Sequence, residues 1–170
     1  RDVIYKWRRE LLKSDNIENL ITDWRDDIFD ELQNNVDNYK TQYETLEDYR
    51  NFVEDELSLI LSDNVKKQIL QTIEVNDNLE IISSLKSLYN KNFESDKNNF
   101  MNLARMGSLS FIDQSWKNHL SEMDYLRSGI GLRAMGQRDP LVEYQKEGYD
   151  LFEELIHNVK LSVVRLLLNF

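Results

Sequence analysis

Two pairings of histidine with glutamate are the first candidates for a chemical site in this sequence. Glu154 and His157 have the Glu-x-x-His spacing of di-iron bundles, and His119 and Glu122 have it in reverse order. A di-iron site needs this motif on two helices together with two further glutamates. Because the chain has only 2 histidines and no cysteine, we predict no metal site. We expect His119 to orient or pack within its own pair of helices.

The motifs of other catalytic centres are also missing from the sequence. The absence of cysteine excludes disulfides, cysteine-ligated zinc and thiol catalysis. The phosphate-binding motif G-x-x-x-x-G-K-[ST] does not occur, and all 5 glycines lie after residue 100. We therefore predict no catalytic residue, and we expect no nucleotide hydrolysis by this chain alone.

The negative charge of the chain is concentrated in one segment. The net charge is −10 and the pI is about 4.7, which disfavours a phosphate-binding surface and therefore nucleic acid. Residues 1–13 carry a net charge of +3, residues 14–100 of −12 and residues 101–170 of −1. This shift predicts a boundary near residue 100. The acidic segment is either a solvated face, which we favour, or a surface for basic partners.

No apolar run is long enough for a membrane span, which needs about 20 residues. The longest candidate, residues 161–170, is interrupted by Ser162, Arg165 and Asn169, so we predict no membrane anchor. The chain begins at Arg1 in a helix-like pattern, with no methionine and no readable signal peptide. We expect it to be a fragment of a longer protein.

Helical periodicity runs through nearly the whole chain. Three stretches repeat apolar side chains every three to four positions: residues 17–36, 46–61 and 65–73. Asp77 followed by Glu80 has the pattern of a capping box and predicts the start of a fourth helix. The tryptophans fall on apolar stripes and are expected in the core: Trp7, Trp24 and Trp116. With a single proline, the predicted fold class is all-α.

The last part of the chain predicts a helical hairpin. Its first stripe consists of Leu109, Ile112, Trp116, Leu120, Met123, Leu126 and Ile130. Its second stripe runs from Tyr144 to Phe170. Glycines are expected to end the first helix, at Gly129, Gly131 and Gly136. Asp139 as N-cap and Pro140 at the first helical position are expected to start the second.

The predicted arms are long and thin. Each has about 28 residues and would extend about 42 Å, so the hairpin cannot bury much apolar surface by itself. Leu132 and Met135 at the tip are expected to be exposed, beside two arginines. The tip is either built to reach another molecule or is a plain connection with solvated charges.

The motifs within this hairpin are dense and specific. They are W-x-x-H-L from Trp116 to Leu120, M-D-Y-L-R from Met123 to Arg127, L-R at Leu132 and Arg133, and Q-x-D-P-x-x-E-Y from Gln137 to Tyr144. From Ser110 to Gly148 the chain closely resembles the two-helix finger of SecA, the family of bacterial preprotein translocase motor ATPases. Val3 to Leu12 is similar to the end of the long scaffold helix of that family.

The resemblance implies three parts. Residues 1–13 would be the end of the helical scaffold long helix, residues 14–100 the helical wing domain, and residues 101–170 the scaffold's two-helix finger, with its tip at 129–140. The middle part resembles the family more weakly, in length, helicity and the W-R-D-D-I-F region from Trp24 to Phe29. The implied fold is a helical wing domain plus a long antiparallel two-helix finger and the end of a long scaffold helix.

The resemblance also implies a mechanical role in protein export. In the SecA family the finger restrains ATP turnover and inserts its tip into the SecYEG channel, where it contacts the translocating polypeptide. The residues expected to contact preprotein or channel are Leu132, Arg133, Ala134, Met135, Gly136, Gln137 and Arg138. Those expected to build the finger are Trp116, His119, Asp124, Arg127, Asp139, Pro140 and Tyr144. Those expected to contact the ATPase domains are Tyr5, Arg8 and Arg9.

Cofactors and partners follow from the same resemblance. ATP and Mg would be bound by nucleotide-binding domains outside this chain, so no cofactor is expected within it. The implied partners are the SecYEG channel, the preprotein and those nucleotide-binding domains, on the cytoplasmic face of a bacterial plasma membrane. Two alternatives stay open. One is an internal regulator of the ATPase. The other is a free-standing helical adaptor, which a phosphate loop upstream in the same reading frame would overturn.

Met135 departs from the tyrosine that many family members have at this position. A thioether cannot donate the hydrogen bond that a phenol can. An unbranched methionine is nevertheless suited to apolar contact with many different segments. We therefore expect Met135 to contact polypeptide, although packing against its own hairpin is the alternative.

Overall fold

The computed structural model describes residues 1–74 and 79–170, with the side chain of Ala134 outside the described set. It confirms the all-α fold, because the described residues form seven helices and no strand. The helices are α1 (Asp2–Lys13), α2 (Glu18–Tyr39), α3 (Leu46–Ser58), α4 (Asp63–Thr72), α5 (Ile82–Ser95), α6 (Lys97–Ala134) and α7 (Pro140–Leu168). The helix start predicted at Asp77 lies outside the described residues.

α2 is the main core helix of the acidic segment. Its apolar side chains recur at helical spacing and share one buried face: Ile21, Trp24, Ile28, Phe29, Leu32 and Val36. Burial of each stabilises the fold by about 1.5–3 kcal/mol relative to exposure. Asp23, Asp27, Asp30 and Glu31 of the same helix are exposed. Asp23 and Asp30 support the solvated interpretation of the acidic face, whereas Asp27 and Glu31 pair with side chains of α7.

α1 packs against both the wing and the finger. Trp7 of α1 meets Trp24 of α2 edge to face, with ring centroids 4.7 Å apart. Ile4 and Leu11, on the same side of α1, are buried. The core position predicted for Trp7 and Trp24 is therefore confirmed, and Trp116 is partly buried against the same core.

The end of α7 is fixed into the turn between α3 and α4 by polar side chains. The Asn169 amide donates to the Ile60 carbonyl at 3.0 Å, and its Oδ1 accepts the Ser62 N–H at 2.8 Å. Arg165 donates to the carbonyls of Ser58 and Leu59. These bonds satisfy backbone groups that a helix end would otherwise leave unpaired. Two of the polar residues that interrupt the apolar run at 161–170, Arg165 and Asn169, are therefore structural.

α6 and α7 form the predicted antiparallel hairpin. α6 has 38 residues and α7 has 29, which correspond to about 57 Å and about 44 Å. Lys160 and His157 of α7 pair with Asp27 and Glu31 of α2, at 2.7 Å and 2.9 Å. The base of the hairpin is thus joined to the wing, and its distal half extends beyond it. No helix in the described part of the chain is both long and apolar enough to cross a membrane.

Two details of the predicted hairpin are wrong. Leu120 is 49% exposed, because the buried positions Ile112, His119 and Leu126 repeat every seven residues and Leu120 lies one step outside that stripe. Gly129 and Gly131 do not end α6, which continues through both of them to Ala134. Glycine lowers helix stability but does not by itself stop a helix.

Candidate functional site

The stem of the finger depends on two close approaches between its helices. A Cβ built on Gly107 of α6 would lie 2.5 Å from Leu166 Cδ2, and one built on Gly148 of α7 would lie 2.9 Å from Met123 Cε. Real Cβ atoms do not approach carbon so closely, so these positions are filled by the side chain of the opposite helix. α6 and α7 therefore pack tightly at both points.

His119 lies in the middle of the stem between two aromatic rings. It stacks on Trp116 with ring centroids 5.4 Å apart, and Phe152 of α7 meets it edge to face at 5.9 Å. The side chain is buried, and its Nδ1 has no hydrogen-bond partner. Burial lowers the pKa of His119 below its ordinary value, while Glu122 acts in the opposite direction. His119 is therefore a neutral packing residue near pH 7; the sequence left orienting and packing both open.

Gln137 makes the turn at the tip. It has a positive φ of 63°, the left-handed conformation that commonly follows a helix. The Arg138 N–H donates to the Arg133 carbonyl at 3.3 Å, which is the six-to-one bond of a Schellman motif. The role predicted for glycine is therefore filled by Gln137.

The second helix of the hairpin begins as predicted. The Asp139 carboxylate accepts the Leu141 N–H at 3.0 Å, and Pro140 occupies the first turn of α7. Such a cap stabilises a helix by about 1 kcal/mol relative to alanine. Asp139 and Pro140 therefore fix the point at which the chain turns back.

Arg133 connects the two helices just below the turn. Its Nε and Nη2 donate to the two carboxylate oxygens of Glu147 at 2.9 Å and 2.8 Å. Both side chains are about one-third exposed. This bidentate pair holds the end of α6 against α7. Arg133, predicted to contact preprotein or channel, thus has a partner within the finger.

The apolar side chains at the end of the finger face solvent. Leu132 is 73% exposed and Met135 is 82% exposed. On the α7 side of the turn, Leu141 is 63% exposed and Val142 55%. We call these four residues the tip patch. Gly136, Gln137 and Arg138 beside it are also exposed. Several exposed apolar side chains at the end of a long projection are typical of a contact surface.

The remaining predicted finger residues lie along its outer side. Asp124 and Arg127 form an ion pair at 3.5 Å with both side chains about three-quarters exposed. A pair so exposed contributes little to stability. Tyr144 is half-buried near the start of α7. Asp124 and Arg127 lie about two to three turns before the end of α6, and Tyr144 lies about one turn after Leu141 in α7.

The three predicted scaffold contacts divide into two groups. Tyr5 is 68% exposed and Arg9 is exposed, so both are accessible to other domains. Arg8 instead pairs with Asp113 of α6, at 2.7 Å and 3.0 Å through two nitrogens. That hydrogen bonding lowers the pKa of the Asp113 carboxyl below its ordinary value.

Sequence reasoning missed the side chains that join α1 to the finger. Arg105 of α6 donates to the carbonyls of Leu11 and Ser14 at the end of α1. Together with Arg8 and Asp113, it attaches α1 to α6 at two points. Arg105, Asp113 and Glu147 carry no motif signal, because each is an ordinary charged residue on a helix. Only the approach of two helices distant in sequence gives each of them a partner.

The described residues offer no evident metal centre. They contain no group of three or more histidine, cysteine, aspartate or glutamate side chains that could hold a metal ion. His157 and Glu154 share a helix, but His157 pairs with Glu31 of α2.

Comparison with known proteins assigns the chain to a family of helical domains. A family model described as SecA Wing and Scaffold domain matches residues 1–170. The protein translocase subunit SecA of Clostridium botulinum (strain Loch Maree / Type A3) is 31% identical over 181 residues, covering 98% of this chain and 20% of that protein. SecA of Syntrophus aciditrophicus is 38% identical over 172 residues, covering 94% and 19%.

A shorter match has higher identity. SecA of Frankia casuarinae is 58% identical over 67 residues, which are 39% of this chain and 7% of that protein. The chain spans about a fifth of the length of the relatives that it matches along its whole length. Since the family model covers every residue, the chain belongs to the SecA wing and scaffold family.

Proposed function

We propose that this chain is the mechanical coupling part of a SecA-type protein-export motor. In this proposal, ATP-driven movement elsewhere in the motor passes through α1 to the finger, and the tip patch contacts the translocating polypeptide and the SecYEG channel. The observation that carries the proposal is the tip patch itself. Leu132 and Met135 are 73% and 82% exposed at the end of a hairpin whose base is fixed to α1 and to the wing.

The contacts at the base of the finger support a mechanical role. Arg8 pairs with Asp113, and Arg105 binds the end of α1. A displacement of α1 would therefore move α6 with it. The bidentate pair of Arg133 and Glu147 would keep α7 attached to α6 near the tip during that movement. Tyr5 and Arg9 stay accessible for contact with nucleotide-binding domains.

The chemistry of ATP hydrolysis would belong to other parts of the protein. This chain contains no phosphate-loop motif, so ATP and Mg would be held by the nucleotide-binding domains. The chain's own residues would position the finger and contact the preprotein. The site of action would be the cytoplasmic face of a bacterial plasma membrane, with peripheral attachment and no nucleic acid partner.

Photo-crosslinking from position 135 tests the proposal. A photoreactive amino acid replaces Met135 in the intact protein, and a preprotein is stalled in the channel in the presence of ATP. We expect crosslinks to the preprotein. A matched probe at Leu120, exposed on the stem, should give few. Crosslinks from 135 that reach only the motor's own domains, in a complex shown to be stalled, would overturn substrate contact.

A second function, restraint of the ATPase, is favoured by the attachment of α6 to α1. If the finger holds the scaffold in one position, loosening its stem should release ATP turnover. Trp116→Ala removes the ring that stacks on His119, and we expect it to raise basal turnover in the intact protein. Leu132→Ala at the tip should instead lower transport per ATP hydrolysed. Equal effects of the two variants would contradict separate roles for stem and tip.

A further inference from the structure

The methionines of the chain differ sharply in exposure. Met135 is 82% exposed and Met106 is 66% exposed. Met101 and Met123 are partly buried, and Met123 fills the space beside Gly148. The chain has 4 methionines and no cysteine, so methionine thioethers are the only sulfur groups available for oxidation. Methionine oxidation follows accessibility.

Oxidation of Met135 would change the polarity of the tip patch, because Met135 is one of its four residues. Met135 follows the last residue of α6 and belongs to the tip patch with Leu132, Leu141 and Val142. Met106 is nearly as exposed but lies about two and a half turns into the base of α6, far along the chain from the turn at Gln137. The two residues therefore have similar access to an oxidant and different surroundings.

We propose that Met135 is a peroxide-sensitive modification site that switches the tip patch from apolar to polar. The oxidant is hydrogen peroxide or an organic hydroperoxide. The Met135 sulfur attacks one peroxide oxygen, the O–O bond breaks, and an S–O bond forms. Sulfur loses two electrons to the peroxide, the transferred oxygen gives up its proton, and the departing oxygen takes up a proton and leaves as water or an alcohol. The product is methionine sulfoxide.

The sulfoxide changes what the tip patch can bind. It replaces a polarizable apolar group by a polar, chiral one that accepts hydrogen bonds. Contact with apolar segments of an unfolded chain would then require desolvation of the new S–O group. This consequence rests on the proposed function, in which the tip patch contacts polypeptide. A thiol-dependent sulfoxide reductase would restore the thioether.

The first arm of the test does not depend on the proposed function. The intact protein is treated with hydrogen peroxide, and sulfoxide at each methionine of this chain is followed by peptide mass spectrometry. From the difference in exposure we expect Met135 to oxidise at least about five-fold faster than Met123. Met106 should fall between them. Oxidation of Met135 at the rate of Met123 or slower would overturn the site.

The second arm measures the switch. A photoreactive amino acid replaces Leu132, and crosslinking to the stalled preprotein is measured before and after peroxide treatment. We expect peroxide to lower the yield at least about three-fold in the parent and in Met106→Leu, because the sulfoxide removes apolar contact. The yield of Met135→Leu should be unchanged relative to its own untreated sample, and Met135→Gln should resemble the oxidised parent.

The outcomes separate the two proposals. An equal loss in Met135→Leu and in the parent would overturn the switch while leaving substrate contact in place. Absence of crosslinks in every untreated sample would overturn the proposed function and the switch together. In that case the mass spectrometry alone would decide whether Met135 is a modification site.

Discussion

His119 is the residue at which protonation and packing of the finger are coupled. Its ring is held between Trp116 and Phe152, and its Nδ1 has no partner. Protonation would place a charge on a buried ring without a compensating hydrogen bond, which is unfavourable. The neutral form is therefore the one that the folded finger accommodates.

The first prediction concerns the stability of the finger in acid. Because burial lowers the pKa of folded His119, the unfolded state takes up its proton first as the pH falls below about 6.5. The free energy of unfolding should therefore decrease through that window, and each unit of difference between the two pKa values costs about 1.4 kcal/mol. His119→Phe, measured by urea unfolding between pH 7.5 and 5, should remove this component of the decrease.

His157→Gln is the control for this measurement. His157 is partly exposed and pairs with Glu31, so its replacement should leave the component due to His119 in place. An NMR titration gives the direct test of the pKa. A value for His119 above that of an unstructured histidine would contradict the dominance of burial.

The second residue-scale prediction concerns Gln137. A side chain at φ 63° is disfavoured by about 1–2 kcal/mol relative to glycine. Gln137→Gly should therefore stabilise the turn, offset in part by the larger backbone entropy of the unfolded state. We expect a net gain of about 0.5–1 kcal/mol in thermal or urea unfolding. Arg138→Gly, at the neighbouring position without positive φ, is the matched variant: it relieves no backbone strain and adds only unfolded-state entropy, so it should not stabilise the turn.

Within α6, Gly107 and Gly129 differ in whether a neighbouring side chain requires a residue without a Cβ. Gly107 lies where α7 approaches closely, and a Cβ there would meet Leu166 Cδ2 at 2.5 Å. A Cβ at Gly129 would meet no heavy atom within 4 Å. The first glycine permits the packing of the stem. The second weakens the distal part of α6 without serving any contact in the described structure.

A matched pair of alanine variants tests this difference. Gly129→Ala should raise the free energy of unfolding by about 0.5–1 kcal/mol, because alanine is favoured over glycine in an exposed helix. Gly107→Ala gains the same propensity but forces Leu166 to move, and overpacking costs about 1–3 kcal/mol. We expect a net loss for Gly107→Ala in urea unfolding. Equal stabilisation by both variants would show that Leu166 relaxes freely.

The helices and the start of α7 were predictable from periodicity and capping residues, whereas the end of α6 was not. The stripe of α2 appears in the sequence as apolar residues every three to four positions, and six of its residues are buried. The end of α6 was mispredicted because glycine was treated as a stop. It is set instead by Gln137, whose residue type carries no preference for a left-handed conformation strong enough to be read. The exposure of Leu132 and Met135 was predicted because no partner stripe faces them.

For the whole molecule, the connection between scaffold, wing and finger lies in polar contacts between distant parts of the chain. Arg8 and Arg105 join α1 to α6, and Lys160 and His157 join α7 to α2. Periodicity identifies which face of a helix is buried, but it does not identify which helix covers that face. The partners of these charged residues therefore emerge only from the assembled fold.

The last prediction is that Arg105 holds the scaffold helix to the finger. Arg105→Leu keeps the apolar part of the side chain but removes the donors to the Leu11 and Ser14 carbonyls. Carbonyl groups left without partners cost about 1–3 kcal/mol. We expect faster amide hydrogen exchange in α1 and lower transport per ATP hydrolysed in the intact protein.

Arg127→Leu is the control. It removes only an exposed pair on the same helix and should change stability by at most about 0.5 kcal/mol. Unchanged exchange in α1 of Arg105→Leu would mean that the Arg8–Asp113 pair and the apolar contacts of Ile4 and Leu11 hold α1 in place without Arg105.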